Sequence, residues 1–216
     1  MARAISAVLV RVRECSRTLP QPHGSTNTNE KKDEKQMTDR EHYSPGPANA
    51  AHIEEVGGKR TLVLVRELRH PPEKVWRALT DPEHLREWAP FDADGNLGTP
   101  GVTVKLTTAG LPTPRVTETV VKHADPPRVL EYNWGGFDIR WELEPHGTGT
   151  RLTLWTNIGE RYIAMGAAGW HICFDVLDHH LAGDPIGRIA GPPAMKHAGW
   201  QRLHVEYAKQ FGTEST

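Results

Sequence analysis

Hydrophobic and polar positions divide the chain into two unequal parts. Residues 14–58 are dominated by Ser, Thr, Asn, Gln, Pro, Gly and charge, and such a segment cannot bury enough surface to offset its ordering entropy. From Thr61 the pattern changes. Thr61 to Leu68 is β-branched and apolar enough for a first strand. His70-Pro71-Pro72 ends it, with prolines suited to the first turn of a helix. Val75, Trp76 and Leu79 then share one face of a short helix. Asp81 as N-cap and Pro82 as first helical residue predict a second helix running to about Trp88.

The middle of the chain alternates with a period of two, punctuated by turns. Gly95 to Gly98 reads as a short extended piece, followed by strands over Val102–Leu106, Arg115–Lys122 and Val129–Trp134. Gly135-Gly136 is a two-residue hairpin signal. Phe137, Ile139, Trp141 and Leu143 alternate with polar residues up to a turn at His146–Gly149, and Arg151–Asn157 follows as a strand. This succession predicts an antiparallel meander, dry on one face and wet on the other. Between Glu160 and Leu181, Ile163, Ala167, Trp170, Phe174, Leu177 and Leu181 recur at spacings of three and four, one stripe of a long helix ended by Gly183-Asp184-Pro185. A Gly/Pro linker leads to a last amphipathic helix carrying Trp200, Leu203, Tyr207 and Phe211, with Val205 off the stripe.

The expected organisation is a tail over residues 1–57, disordered or the product of an early start codon, with Met37 a natural alternative start. One α+β domain over 58–212 follows, including a C-terminal helix over 194–211, and then a short tail over 213–216. At 216 residues the chain is long enough for one good domain and short for two. Net charge is −1, so no global field attracts nucleic acid or an anionic membrane. Cys15 and Cys173 stand in unlike contexts, which argues against a disulfide framework and for a reducing, cytoplasmic compartment. No apolar run is long enough to span a membrane. The apolar stretch after Arg3 is broken by Arg11 and Arg13, so no secretory signal is expected.

The order of these elements, a strand, two short helices, a meander and a long C-terminal helix, is the helix-grip arrangement. The chain resembles the SRPBCC (START/birch-pollen-allergen-like) superfamily, and within it the heat-shock-protein-90 ATPase activator homologue family. The likeness rests on Pro72-Glu73-Lys74-Val75-Trp76-Arg77-Ala78-Leu79-Thr80-Asp81-Pro82-Glu83-His84-Leu85 with Trp88 and on Leu130 to Trp134. It continues in Trp141-Glu142-Leu143-Glu144 with Gly149 to Leu154, and in Gly169-Trp170-His171 with Leu177-Asp178 and Leu181. The resemblance implies a curved antiparallel sheet of about six to seven strands wrapped around the long helix. It also implies a cavity between them used for lipids, polyketides or other apolar small molecules. The co-chaperone role of eukaryotic members is not expected to carry over to a chain of this length, and fold analogy alone does not give function.

Within that arrangement Trp88, Phe91, Trp134, Trp141, Ile163, Trp170, Phe174 and Leu177 are the expected ligand-binding residues, Trp88 and Phe91 near the mouth. Aromatic rings give large rigid contact area with one polar handle. The alternative is that they simply fill the core. Glu118 shares its strand face with Val116 and Val120 and is the one candidate acid or base, because an inward carboxylate would have a raised pKa. Asp138, Arg140 and Glu142 lie on the face opposite Trp141 and are expected in solvent. His171, Asp175 and Asp178 share a helical face and could ligate a cation, but no third strong ligand is apparent, so an exposed polar stripe is the preferred reading. No metal, cofactor or nucleotide is expected, since no phosphate loop, GxSxG or paired cysteine nucleophile occurs. Three function classes stay open: a protein that holds an apolar small molecule, a polyketide-cyclase or dehydratase-like enzyme, and a protein-interaction module acting as a homodimer or chaperone partner.

Overall fold

The structure is a computed structural model, described for residue 31, residues 34–37, 39–40 and 42–213. Strands β1 (Ala51–Val56) and β2 (Lys59–Leu68) form a hairpin. Its turn, Gly57-Gly58, has φ of 57° and 73°, the left-handed values that a two-residue hairpin turn requires and glycine supplies. Helices α1 (Pro72–Thr80) and α2 (Pro82–Trp88) follow, hinged at Asp81, whose side chain accepts from the Glu83 amide. Strands β3 (Phe91–Ala93), β4 (Thr103–Thr108) and β5 (Val116–Val120) make a three-stranded sheet. Strands β6 (His123–Asp125), β7 (Val129–Trp134), β8 (Phe137–His146) and β9 (Gly149–Thr156) complete a six-stranded sheet in the order β1-β2-β9-β8-β7-β6. All pairings are antiparallel. The two sheets meet where the Asn133 amide donates to Thr119 Oγ1 at 3.0 Å and the Lys122 amide to the Glu131 carbonyl at 2.8 Å.

The helix-grip architecture is as expected, with the wrap divided between two sheets. Two local expectations are corrected. Residues 95–98 form turns, and the extended piece is Phe91–Ala93 just before them. Ala51–Val56 is a paired strand, so order begins before residue 58. An edge strand in which only Ala51 and Ile53 bring apolar groups toward the core carries almost no hydrophobic pattern. The expectation for residues 1–30 lies outside the described residues.

After a 3₁₀ turn (Glu160–Tyr162), α3 (Ile163–Ala182) runs through the grip and ends on Gly183 at φ 79°. Register explains the core. Leu64, Leu154, Trp141 and Leu130 lie opposite one another on neighbouring strands, all on the face toward α3. The whole predicted helix stripe, Ile163, Ala167, Trp170, Phe174, Leu177 and Leu181, is buried. So are Ala164, Ala168, Ile172 and Val176, because α5 (Ala198–Phe211) packs along the same helix through Trp200, Leu203 and Tyr207. The connection between the helices holds a single turn, α4 (Gly191–Ala194). The last helix begins at residue 198, later than expected, and Val205 is exposed as expected.

Candidate functional site

An aromatic file crosses the interior. Trp88 meets Trp141 edge-to-face at 6.0 Å between ring centroids, Trp141 meets Trp170 at 5.5 Å, and Trp170 meets Trp134 at 6.0 Å. Phe174 closes on Trp141 at 5.8 Å and Phe91 on Trp134 at 5.2 Å. Such tilted and edge-on contacts add to the burial energy of the rings. The inner members are also satisfied: Trp88 Nε1 donates to the Ala78 carbonyl at 2.9 Å and Trp141 Nε1 to the Tyr132 hydroxyl at 3.1 Å. The middle of the grip is therefore filled.

The file ends at a partly open apolar cavity of about 320 Å³. One wall is the β7–β8 end of the large sheet, with Trp134, Phe137 and Ile139. A second is α3 between Met165 and Cys173, where Gly166 and Gly169 present no side chain and Cys173 only a small one. The third is the segment from Ile189 to Met195, together with Trp200. Of the eight expected ligand-binding residues, Trp134 and Trp170 line this space. Trp88, Phe91, Trp141, Ile163, Phe174 and Leu177 are buried in the packed core, and neither Trp88 nor Phe91 stands at a mouth. The cavity residues missed from sequence had two signals. One is the run of small residues at spacings of three and four beside Trp170; the other is Ile189 and Ala190, apolar residues in what reads as a Gly/Pro linker.

The candidate acid or base is corrected. Glu118 points outward with Val116 and Val120; its side chain is 67% exposed and stands 4.0 Å from Lys105. Thr119 is the buried neighbour, so the strand faces the core on the other parity. Arg140 lies on the outer sheet face, as expected, bridging Glu131 and Glu142.

The polar residues of α3 are corrected too. His171 is 2% exposed, not part of a solvated stripe. Arg66 on β2 shares the inward register with Leu64 and Leu68, and Asp175 neutralises it at 2.7 Å. The Tyr43 hydroxyl donates to the same carboxylate at 2.5 Å, and His171 Nδ1 is 2.8 Å from the Tyr207 hydroxyl. Burial holds the His171 imidazole down to about 4, with Arg66 adding to the effect and Asp175 opposing it. His171 and Asp175 are thus engaged in a structural network. Among the described residues no group of three or more His, Cys, Asp or Glu is placed to hold a metal ion.

Within the cavity the chemistry is neutral. Among the described residues Cys173 is the single ionisable one in the lining, and burial pushes its thiol up to about 12. A thiol held that high is not a ready nucleophile.

A curved antiparallel sheet gripping a long helix, with an apolar cavity beside the helix, defines a protein of the helix-grip class. Residues 69–182, more than half of the chain, match the family model described as "Activator of Hsp90 ATPase homolog 1-like protein", and the chain belongs to this family. Solved structures with the same fold include CalU16 from Micromonospora echinospora, 21% identical, with a TM-score of 0.53 over 74% of this chain and 94% of that one. A conserved protein of unknown function from Enterococcus faecalis is 18% identical, with a TM-score of 0.57 over 78% and 94%. A protein from Bordetella parapertussis is 24% identical, with a TM-score of 0.53 over 78% and 95%. Among curated proteins none matches the chain. No helix among the described residues is long and apolar enough to cross a membrane.

Proposed function

We propose that this protein binds a small apolar molecule in the cavity bounded by β7–β8, the first half of α3 and the 189–200 segment. The observation that carries the reading is the space itself: about 320 Å³ lined almost wholly by apolar side chains in an otherwise close-packed interior. Membership of a family built on this fold supports it. Holding rather than converting the ligand is the favoured role, since the lining has no acid or base suited to neutral pH and Glu118 faces solvent. The test is native mass spectrometry of protein purified from its own host. A retained molecule, lost on replacing Gly169 by a bulky Leu that fills the cavity, is the expected result. Protein that comes out empty and also binds no member of an aromatic and lipid library in thermal-shift assays would sink the reading.

A further inference from the structure

Most polar side chains beside the cavity are accounted for, and two are informative. The Trp134 ring forms part of the wall, yet its Nε1–H is buried with no acceptor. Trp88 on α2 and Trp141 on β8, two other tryptophans of the file, both have theirs satisfied. A buried donor without a partner is costly, and such groups call for an explanation. On the opposite wall Trp200 presents its Nε1 beside Gly169, 4.0 Å from where a Cβ on that glycine would stand. That 4.0 Å is ordinary van der Waals distance, so nothing in the packing forbids alanine there. Glycine inside a helix is destabilising relative to alanine, and here its effect is to leave the space next to an indole N–H open.

Among the described residues the lining offers no side chain to hold a charge. Cys173 stays a neutral thiol, and Arg188, the cation that most affects it, is tied to Asp92 at 2.7 Å outside the cavity. A carboxylate or ammonium entering here would lose its water without gaining a counter-ion. Donors are offered; counter-charges are not.

Resting on the reading of the cavity as a ligand site, we infer that its ligand is an uncharged, flat ring system carrying a hydrogen-bond-accepting oxygen, which the indole N–H groups of Trp134 and Trp200 receive. A carbonyl oxygen suits the role, because its two lone pairs can take two donors in the ring plane. The aromatic walls, Trp134, Trp170 and Phe137, favour a flat partner over a flexible chain, which would lose more conformational freedom on binding.

The test uses the full chain and three matched probes: fluorene, 9-fluorenone and 9-fluorenone-4-carboxylate. The first two differ only in a CH₂ against a carbonyl, and the third adds a charge. Calorimetric titration is expected to show 9-fluorenone binding about tenfold more tightly than fluorene, the worth of one donor satisfied in a dry site. The carboxylate is expected not to bind measurably. In ¹H–¹⁵N spectra the Trp134 and Trp200 indole resonances should move downfield with 9-fluorenone and not with fluorene, a readout that needs no variant. Trp134→Phe removes the donor together with part of the wall, so it should weaken both probes while narrowing the ratio of their affinities from about tenfold toward one. Equal binding of fluorene and 9-fluorenone with unmoved indole protons overturns the acceptor assignment and leaves the cavity a ligand site. Binding of the carboxylate as tight as that of 9-fluorenone overturns the requirement for neutrality. If none of the three binds, the inference of a flat, neutral ring ligand is overturned, while the ligand-site reading stands or falls on the retained-molecule and library tests above.

Discussion

The Tyr43 hydroxyl donates to Asp175 Oδ2 at 2.5 Å, tying the segment before the first strand to the middle of the long helix. The same segment is held again where Glu206 accepts from the Ala48 amide at 3.0 Å and Arg202 donates to the Gly46 carbonyl at 2.9 Å. Burial, with Asp175 beside it, pushes the Tyr43 phenol above its ordinary range, so it remains a donor at every physiological pH. Tyr43→Phe should cost about 1–3 kcal/mol, because it leaves a largely buried carboxylate one donor short. Equilibrium urea denaturation measures this; an unchanged midpoint would mean the contact contributes nothing in solution.

The His171 imidazole supplies a pH dependence of definite sign. Its folded pKa, about 4, lies below the ordinary value of 6.5, so between these the unfolded chain takes up a proton that the folded chain refuses. Stability should therefore fall as pH is lowered from about 6.5 toward about 4, by an amount on the order of 3 kcal/mol if the full difference is realised. Below that range this contribution is level. His171→Gln should flatten the dependence, at some cost in stability at neutral pH. A wild-type denaturation midpoint that stays constant between these values would contradict the account.

Gly169→Ala is expected to raise stability by up to about 1 kcal/mol, since alanine is the better helix former and its Cβ meets only Trp200 Nε1 at 4.0 Å. Replacing a glycine by alanine at Gly166 is a different case: the new Cβ would come within 2.7 Å of Ile158 Cδ1, so that side chain must turn aside. Thermal melts of the two variants should separate, Gly169→Ala above Gly166→Ala. Lower stability for Gly169→Ala would show that this helix face is closer-packed than described.

Phe174→Ala distinguishes packed core from cavity wall. Phe174 is fully buried against Trp141 and away from the cavity lining, so truncation should destabilise by about 3–5 kcal/mol. Ligand affinity measured well below the melting temperature should change little. Loss of binding in a protein that remains folded would return Phe174 to the wall where the sequence reading had placed it.

Glu118→Gln should alter neither stability beyond about 0.5 kcal/mol nor ligand binding, because an exposed carboxylate at 4.0 Å from an exposed lysine contributes little. Any turnover found for this protein should survive the substitution. Activity abolished by Glu118→Gln alone would revive the enzyme reading.

Much of the architecture was legible without coordinates because it rests on local signals. Period-two alternation placed the strands β4, β5, β7, β8 and β9, and the Gly135-Gly136 hairpin falls where Trp134 pairs with Phe137. Spacings of three and four located α3, and its whole stripe is buried. Glycine, proline and aspartate set most of the ends. These are properties of a residue and its near neighbours along the chain.

What the sequence could not decide is which buried residue meets another side chain and which meets empty space. The eight aromatic and aliphatic residues read as a cavity wall carry the same hydrophobic signature whether packed or open; only the three-dimensional fit closes Trp88 and Phe174 on Trp141 and leaves Trp134 and Trp170 lining the space. Strand parity in β5 was equally undetermined, since Val116 and Val120 suggest an inward face that tertiary pairing assigns to Thr119. Polar residues on α3 looked solvated because their partners are remote in sequence, Arg66 for Asp175 and Tyr207 for His171. Periodicity along the chain thus determined the helix-grip elements of this protein. The cavity beside Gly166, Gly169 and Cys173 was decided only by folding, because a void is a property of all its walls at once.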